Sequence, residues 1–357
     1  MKNFCVLPWF GREIGHDGHE TYCCHLAGHY DINKIRETMK KGERPVECQK
    51  CWNLEDQNLP SDRQIKNRRL SISSGRSLDL LKQDAIANQE KIMLLKLSAS
   101  ATCNSTCVTC SSFHSSAWGA LNRKITPTSS ARNYKTIDLD KLEPKIDFQN
   151  LVGLILLGGE PLYEKRNLEI LEHILSLGND RVYLSIVTNG SMKLNSVWKQ
   201  TLSKFRNLNL HVSIDGTERV FEYVRYPLSW DLLLENISFF RQITDSVSSS
   251  YTLSNLNLLY HRDTINWFKE QKISFWMNPV SWPFYFSPDA LPADVKSLVA
   301  DHMLDMDPQH RYALNHSERT ERSYAEFRRQ IKTQDKAKGI HMRDYLPELY
   351  QLLDLDY

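Results

Sequence analysis

Cys103-Asn104-Ser105-Thr106-Cys107-Val108-Thr109-Cys110 follows an apolar run from Ile92 to Leu97, and the rest of the chain is read from this stretch. Its spacing, C-x3-C-x2-C, folds three thiolates around one face of a cube-shaped iron–sulfur cluster and leaves the fourth iron without a protein ligand. Clusters held by cysteine ordinarily take four thiolates, so the missing fourth is a vacancy where a substrate can bind. Further on, Gly158-Gly159-Glu160-Pro161, Thr188-Asn189-Gly190 and Ser213-Ile214-Asp215-Gly216 each stand at the end of another apolar, strand-like run.

Working outward, the apolar runs fall at 92–97, 151–157, 182–187, 208–214, about 251–259 and 273–280. Helix-like stretches at 168–177, 194–205, 230–243 and 264–271 separate them. Strands that alternate with helices pair in parallel through right-handed crossovers. Six such units fit an α/β fold, an open partial (β/α)6 TIM-like barrel. Ligand sites in βα architectures gather at the carboxyl ends of the strands, and every motif quoted above falls at such an end.

In order and spacing these motifs resemble the radical SAM superfamily. The resemblance implies a [4Fe–4S] cluster on Cys103, Cys107 and Cys110, its open iron chelated by the amino and carboxylate groups of S-adenosylmethionine (SAM). It also implies a set of contacts to that cosubstrate. Gly158 and Gly159 lack side chains, so backbone approaches a ligand closely there, and Glu160, followed by Pro161, offers a carboxylate to the SAM ammonium. Ser185, Asn189, Ser213 and Asp215 are candidates for the ribose hydroxyls, and Arg225 matches an arginine that pairs with the SAM carboxylate. For the serines, Asn189 and Asp215, turn chemistry is an equal reading. One position departs from the family pattern: the aromatic residue usual before the last cluster cysteine is Thr109 here, with Phe113 a candidate to cover the adenine.

The chain has eight cysteines, and five precede the triad: Cys5, Cys23, Cys24, Cys48 and Cys51. Clustered thiols in a long chain with no secretory leader favour metal ligation over disulfides. Residues 1–60 read as a small cysteine-rich module with little regular structure of its own, apart from a short helix at 32–41 stopped by Gly42. Four thiolates suit a structural zinc site as well as an iron–sulfur cluster. Gly18-x4-Cys23 and Cys48-x2-Cys51-Trp52-x2-Glu55-x5-Ser61-x-Arg63 resemble the twitch, or half-SPASM, modules that carry an auxiliary cluster in radical SAM enzymes. That resemblance assigns Cys5, Cys23, Cys48 and Cys51 to an auxiliary [4Fe–4S] or [2Fe–2S] cluster. Cys24 is left as a buried thiol, an alternative ligand or a hydrogen-atom donor. His16, His19, His25 and His29 crowd the same stretch and read as packing or solvated side chains.

Residues 61–90 read as a basic connector, with Arg63, Lys66, Arg68, Arg69 and Arg76 against Asp62, followed by a short helix from Leu78. A basic patch of this kind is a solvated face or a site for a phosphate backbone or an acidic peptide. Residues 91–290 make the barrel, and residues 291–357 a C-terminal helical extension in which Leu346, Leu349, Leu352 and Leu353 form one apolar face. A net charge of +2 gives no global field toward nucleic acid. With no apolar run of membrane-spanning length and no basic-plus-apolar leader, a cytoplasmic protein without membrane contact is expected.

The expected activity is reductive cleavage of SAM to a 5′-deoxyadenosyl radical that abstracts hydrogen from a substrate. It requires a low-potential, flavodoxin- or ferredoxin-like electron donor. A peptide or protein substrate, oxidised or crosslinked, is favoured over a nucleotide, sugar or other small metabolite. The auxiliary module precedes the barrel here, where the family usually places it after. A non-catalytic zinc or iron–sulfur scaffold is the reading from a different class.

Overall fold

The computed structural model describes residues 2–23, 25–26, 29–87, 91–128, 146–299 and 321–356. The chain divides into two compact units. The first comprises Met1–Ser100, Lys135–Ile186 and Asn195–Leu208; the second comprises Ala101–Tyr134, Val187–Leu194 and Asn209–Tyr357.

In the first unit the strands are β1 (Gly11–Ile14), β2 (Glu20–Thr21), β3 (Leu94–Ser98), β4 (Gly153–Leu157) and β5 (Tyr183–Thr188), in the spatial order β2-β1-β3-β4-β5. β3, β4 and β5 pair in parallel. One face of this sheet is wholly apolar and buried, with Leu95, Leu97, Leu154, Leu156, Leu184 and Ile186 at 2% exposure or less. The near-continuous apolar runs come from this burial.

Residues 1–60 hold more regular structure than the sequence suggests. They contain α1 (Leu7–Phe10), β1, β2, α2 (Ile32–Lys40) and α3 (Gln49–Asp56). β1 pairs in parallel with β3, Gly11 opposite Leu94 and Ile14 opposite Leu97, so this segment extends the sheet. α2 starts where the Asp31 carboxylate accepts the N–H groups of Asn33 and Lys34. The connector folds as α4 (Asp62–Ser74) and α5 (Leu78–Ile86). A capping box between Ser61 and Gln64 opens α4, and Gly75 in the left-handed region closes it. Phe4, Val6, Trp9, Phe10, Ile35, Met39, Leu70 and Leu81 close a core among α1, α2, α4 and α5.

In the second unit β6 (Asn207–Ser213), β7 (Ser246–Leu253) and β8 (Ser274–Pro279) lie in sequence order and pair in parallel. The helices after β3 to β7 are α6 (Ser116–Ile125), α7 (Lys165–Ser176), α8 (Ser196–Leu202), α9 (Glu218–Val224) with α10 (Trp230–Ile243), and α11 (His261–Glu270). The βα alternation of a partial (β/α)6 barrel is therefore present. β7 lies five residues earlier than its apolar run suggests. Ser246, Ser248, Ser249 and Ser250 are strand because β6 and β8 pair on both sides, so sheet context overrides weak propensity. Ser254–Asn257 is instead a turn, with Asn257 Oδ1 accepting the Ser254 N–H at 2.7 Å.

The tail supplies α12 (Ala293–Val299), α13 (Glu321–Lys338), α14 (Met342–Tyr345) and α15 (Pro347–Leu352). Leu346, Leu349 and Leu353 are buried, as the apolar spacing requires. No helix among the described residues is long and apolar enough to cross a membrane.

Candidate metal and cosubstrate sites

The triad loop has no regular secondary structure; polar contacts within the second unit hold it. Thr106 N–H donates to the Tyr226 carbonyl at 2.7 Å and Val108 N–H to the Val224 carbonyl at 2.8 Å. Trp118 Nε1–H donates to the Cys107 carbonyl at 2.8 Å. Cys103 N–H donates to Ser116 Oγ at 3.1 Å. Asn104 fastens the loop to the Thr188-Asn189-Gly190 turn: its Nδ2 donates to Ser191 Oγ and its Oδ1 accepts from Asn189 Nδ2, each at 2.8 Å. Asn189 thus holds the cysteine loop.

Within the loop, Ser105 Oγ lies 3.3 Å from Cys103 Sγ and 3.4 Å from Cys107 Sγ. Cys110 sits one turn on, its N–H donating to the Cys107 carbonyl at 3.0 Å. Burial pushes the Cys110 thiol up to about 12, and charge on Cys107 pushes the same way. Thiols so placed become thiolates only beside strong positive charge, and metal ions deprotonate coordinating thiols outright. The donor set therefore fits an iron–sulfur cluster. Among the described residues no three His, Cys, Asp or Glu side chains converge tightly enough for a single ion. Thiolates bound to different irons of one cluster stand further apart than ligands sharing one ion.

Asp215 and Arg225 reach each other, Oδ2 to Nη2 at 2.7 Å, with the Asp215 side chain 2% and the Arg225 side chain 11% exposed. Thr252 N–H donates to Asp215 Oδ1 at 2.8 Å. Burial pushes the Asp215 carboxyl up, opposed by Arg225 and by the Thr252 N–H. For Arg225 burial works against the charge, and Asp215 together with Cys107 and Cys110 outweighs it and holds the guanidinium charged. Arg225 Nε has no hydrogen-bond partner, so this buried cation keeps one donor in reserve. Ser213 ends β6 opposite Ser250.

Three side chains from the tail escaped the sequence reading. Gln334 Nε2 donates to the Val108 carbonyl at 3.5 Å. Asp335 accepts the Tyr223 hydroxyl at 2.9 Å. Lys338 lies over the Trp118 ring at 5.4 Å, and burial lowers its pKa to about 8 against the pull of Cys107 and Asp335. More than two hundred residues separate them from the triad, and no local spacing announces them.

In the first unit, Gly158 follows β4 at φ +137°, a conformation suited to glycine. A Cβ there would lie 2.6 Å from the Ser100 carbonyl oxygen and 2.9 Å from Ser98 Oγ. The Gly-Gly turn is thus pressed onto the end of β3, with Gly159 N–H donating to the Ser100 carbonyl at 3.2 Å. Glu160 is buried, and its Oε1 accepts the Leu162 N–H at 3.1 Å, capping the short turn that begins at Pro161. Ser185 lies within β5 opposite Ile155 rather than at the strand end.

Cys5, Cys23, Cys48 and Cys51 line one small cavity of about 30 Å³, with His25 and Arg63 beside them. Burial pushes Cys5 and Cys48 up to about 12, and the neighbouring thiols add to both shifts. The surrounding frame is built from the Trp52-x2-Glu55-x5-Ser61-x-Arg63 run. Arg63 Nε and Nη2 donate to the Glu55 carboxylate at 2.9 and 2.5 Å, Ser61 Oγ donates to it at 2.5 Å, and Arg63 Nη1 donates to the Phe4 carbonyl at 2.8 Å. Trp52 is buried, with Arg63 4.9 Å and Arg44 5.2 Å from its ring. Asn67, which the sequence reading missed, accepts the Val6 N–H and donates to the Phe4 carbonyl, both at 2.8 Å, and so brackets Cys5. His25 is bound to Asp62 at 2.5 Å. Cys24 lies outside the described residues.

No protein-family model matches the chain, and no curated protein matches its sequence. Among solved structures it is similar to anSMEcpe with bound AdoMet, at 18% identity over 54% of this chain and 54% of that one, with a TM-score of 0.41. It is also similar to native anSMEcpe with bound AdoMet and Cp18Cys peptide, at 18% identity over 52% and 50%, TM-score 0.40. A further similar structure is Streptococcus suis SuiB bound to precursor peptide SuiA, at 13% identity over 85% and 70%, TM-score 0.43. The chain spans about half the length of the anSMEcpe structures it matches.

Proposed function

We propose that this chain is a radical SAM enzyme acting on a peptide or protein substrate, with an auxiliary iron–sulfur cluster in its N-terminal segment. The observation that carries the reading is the division of the seven described cysteines. Three stand on one polar-anchored loop with no fourth thiol in the same unit, and four line one cavity in the other unit. A three-thiol site leaves one iron open to a cosubstrate, whereas a four-thiol site is closed.

When bound, the cluster and SAM supply the one-electron cleavage that yields a radical able to take hydrogen from an unactivated C–H. The residues of the chain do the positioning. Asn104 and Trp118 fix the loop, and the Gly158-Gly159 turn exposes backbone where a side chain would block approach. Arg225, with its one unused donor, presents a fixed positive charge to a carboxylate. Glu160, whose Oε1 caps the Leu162 N–H, would offer the rest of its carboxylate to a cosubstrate ammonium. The peptide assignment follows the twitch resemblance, and peptides are also what the structures of anSMEcpe and SuiB named above were solved with. Anaerobic reconstitution followed by assay for 5′-deoxyadenosine tests the proposal. Iron and sulfide incorporation without any SAM cleavage would leave the scaffold reading in its place.

A further inference from the structure

A cavity of about 220 Å³ opens on the first unit's sheet, on the face opposite its apolar core. Its floor is the row Gly11, Leu94, Gly153 and Tyr183, which stand opposite one another in register, with Ile155 one step further along β4. This row marks the amino-terminal half of the strands. The Gly158-Gly159 turn lies past their carboxyl ends, so the cavity is separate from the proposed cosubstrate site.

Cations dominate its polar groups. Lys96 is neutralised by Glu13 at 2.6 Å. Arg12 Cζ lies over the Tyr22 ring, 3.8 Å from its centroid. Lys66 and Arg69 project from α4 at i and i+3, which places them on one side of the helix. Arg69 reaches over the Tyr183 ring at 5.6 Å, and neither Lys66 nor Arg69 has a carboxylate partner among the described residues. Of the other basic residues of the connector, Arg63 is bound to Glu55 and Arg76 to Asp84, and Arg68 does not line the cavity; Lys66 is half-buried and Arg69 exposed at its rim.

We propose that this cavity is an anchoring subsite for an acidic side chain of the peptide substrate, its carboxylate held by Lys66 and Arg69 and its apolar neighbour laid on Leu94 and Ile155. The volume is below the roughly 300–1,000 Å³ of a site that takes a whole small molecule, so it suits one anchoring group of a longer ligand. The apolar floor separates that ligand from a bare inorganic anion, which gains nothing by covering leucine and isoleucine. Cys23 lines this cavity and the four-cysteine cavity alike, so an anchored peptide lies beside the auxiliary site.

The peptide nature of the ligand rests on the proposed function, but binding is measured without SAM cleavage, so the two fail separately. Titration calorimetry on the full chain compares N-acetyl-leucyl-glutamyl-leucinamide with its glutaminyl counterpart, with inorganic phosphate as competitor. The glutamyl peptide is expected to bind about tenfold or more tightly, since a hydrogen-bonded charge contact contributes roughly that factor. Lys66→Gln with Arg69→Gln should abolish the preference, Arg69→Lys alone should keep it, and the Cys103→Ala, Cys107→Ala, Cys110→Ala variant should leave it intact. Equal or absent binding of the two peptides overturns the proposal. So does a preference that survives the double substitution, or millimolar phosphate that abolishes binding of the glutamyl peptide. Unchanged melting temperatures in the glutamine variants show that a lost preference is not lost fold.

Discussion

The two cysteine sets are built from different materials. The triad sits on an irregular loop whose order comes from hydrogen bonds to side chains and backbone outside it, among them those of Asn104, Trp118 and Ser116. Of the N-terminal four, Cys51 stands on α3, Cys48 in the 3-10 turn that leads into it, and Cys5 inside the cluster of Phe4, Val6, Trp9 and Phe10. The three triad cysteines are half-buried and stand outside the buried core. The other set is tied to a core through Cys5, which belongs to it, and Cys48, which packs against it. A site that must admit a ligand gains from the first construction, and a closed site from the second.

Replacing Cys103, Cys107 and Cys110 together by Ala should give the largest effect on chemistry. 5′-Deoxyadenosine formation is expected to vanish, and iron to fall from about seven to eight atoms per chain to about four if both clusters are cubanes. Persistent SAM cleavage, or a wild type holding roughly four irons and one zinc, would break the comparison. On stability the order reverses. Asn67→Ala strips partners from two buried backbone groups that bracket Cys5, at about 1–3 kcal/mol each, so a denaturant midpoint shift equivalent to about 3 kcal/mol is expected. An unchanged midpoint would place Cys5 outside the core.

The effect of pH is smaller and has a definite sign. Burial works against the Glu55 charge, but hydrogen bonds from Arg63 and Ser61 outweigh it and hold the carboxyl below its ordinary value of 4.5. A depressed folded value means the stabilisation is complete above the ordinary value and is lost as pH falls through the folded one. Acid titration of the wild type should therefore show a loss of stability below about pH 4.5 that Glu55→Gln lacks. Glu160→Gln comes next: the amide oxygen still caps the Leu162 N–H, so the melting temperature should hold while SAM affinity drops. Equal losses in both would return Glu160 to a purely capping role. Asn104→Ala should cost least in stability, under about 1 kcal/mol, because Asn104 is itself exposed; its effect should show instead in slower cluster reconstitution.

The strands from β3 to β6 and the helices between β4 and β6 are legible because burial writes apolar runs and amphipathic spacing into the chain; α6, after β3, escapes the sequence reading. β1 is not legible either. Gly11-Arg12-Glu13-Ile14 has neither length nor alternation to mark it, and it is strand because β3 lies alongside. β7 is hidden by its serines for the same reason. Motif positions were legible, but not what their side chains do. Asp215 and Arg225 each looked ready for a ligand, and only the fold shows that they bind one another. The Glu55–Ser61–Arg63 spacing was visible, whereas its function as the frame of a thiol cavity needed the contact to Phe4.

The parallel pairing of Gly11–Ile14 with Leu94–Leu97 has a consequence for how the protein is made. During synthesis Cys5, Cys23, Cys48 and Cys51 all leave the ribosome before the strand that must flank β1 exists. Until then β1 has an unpaired edge, and the helices of this segment lack the sheet on which they are ordered. Contacts this distant in sequence form late, so the N-terminal thiols emerge early and are enclosed late. Delivery of the proposed cluster would have a window that closes only when residue 97 and its neighbours have been translated and paired.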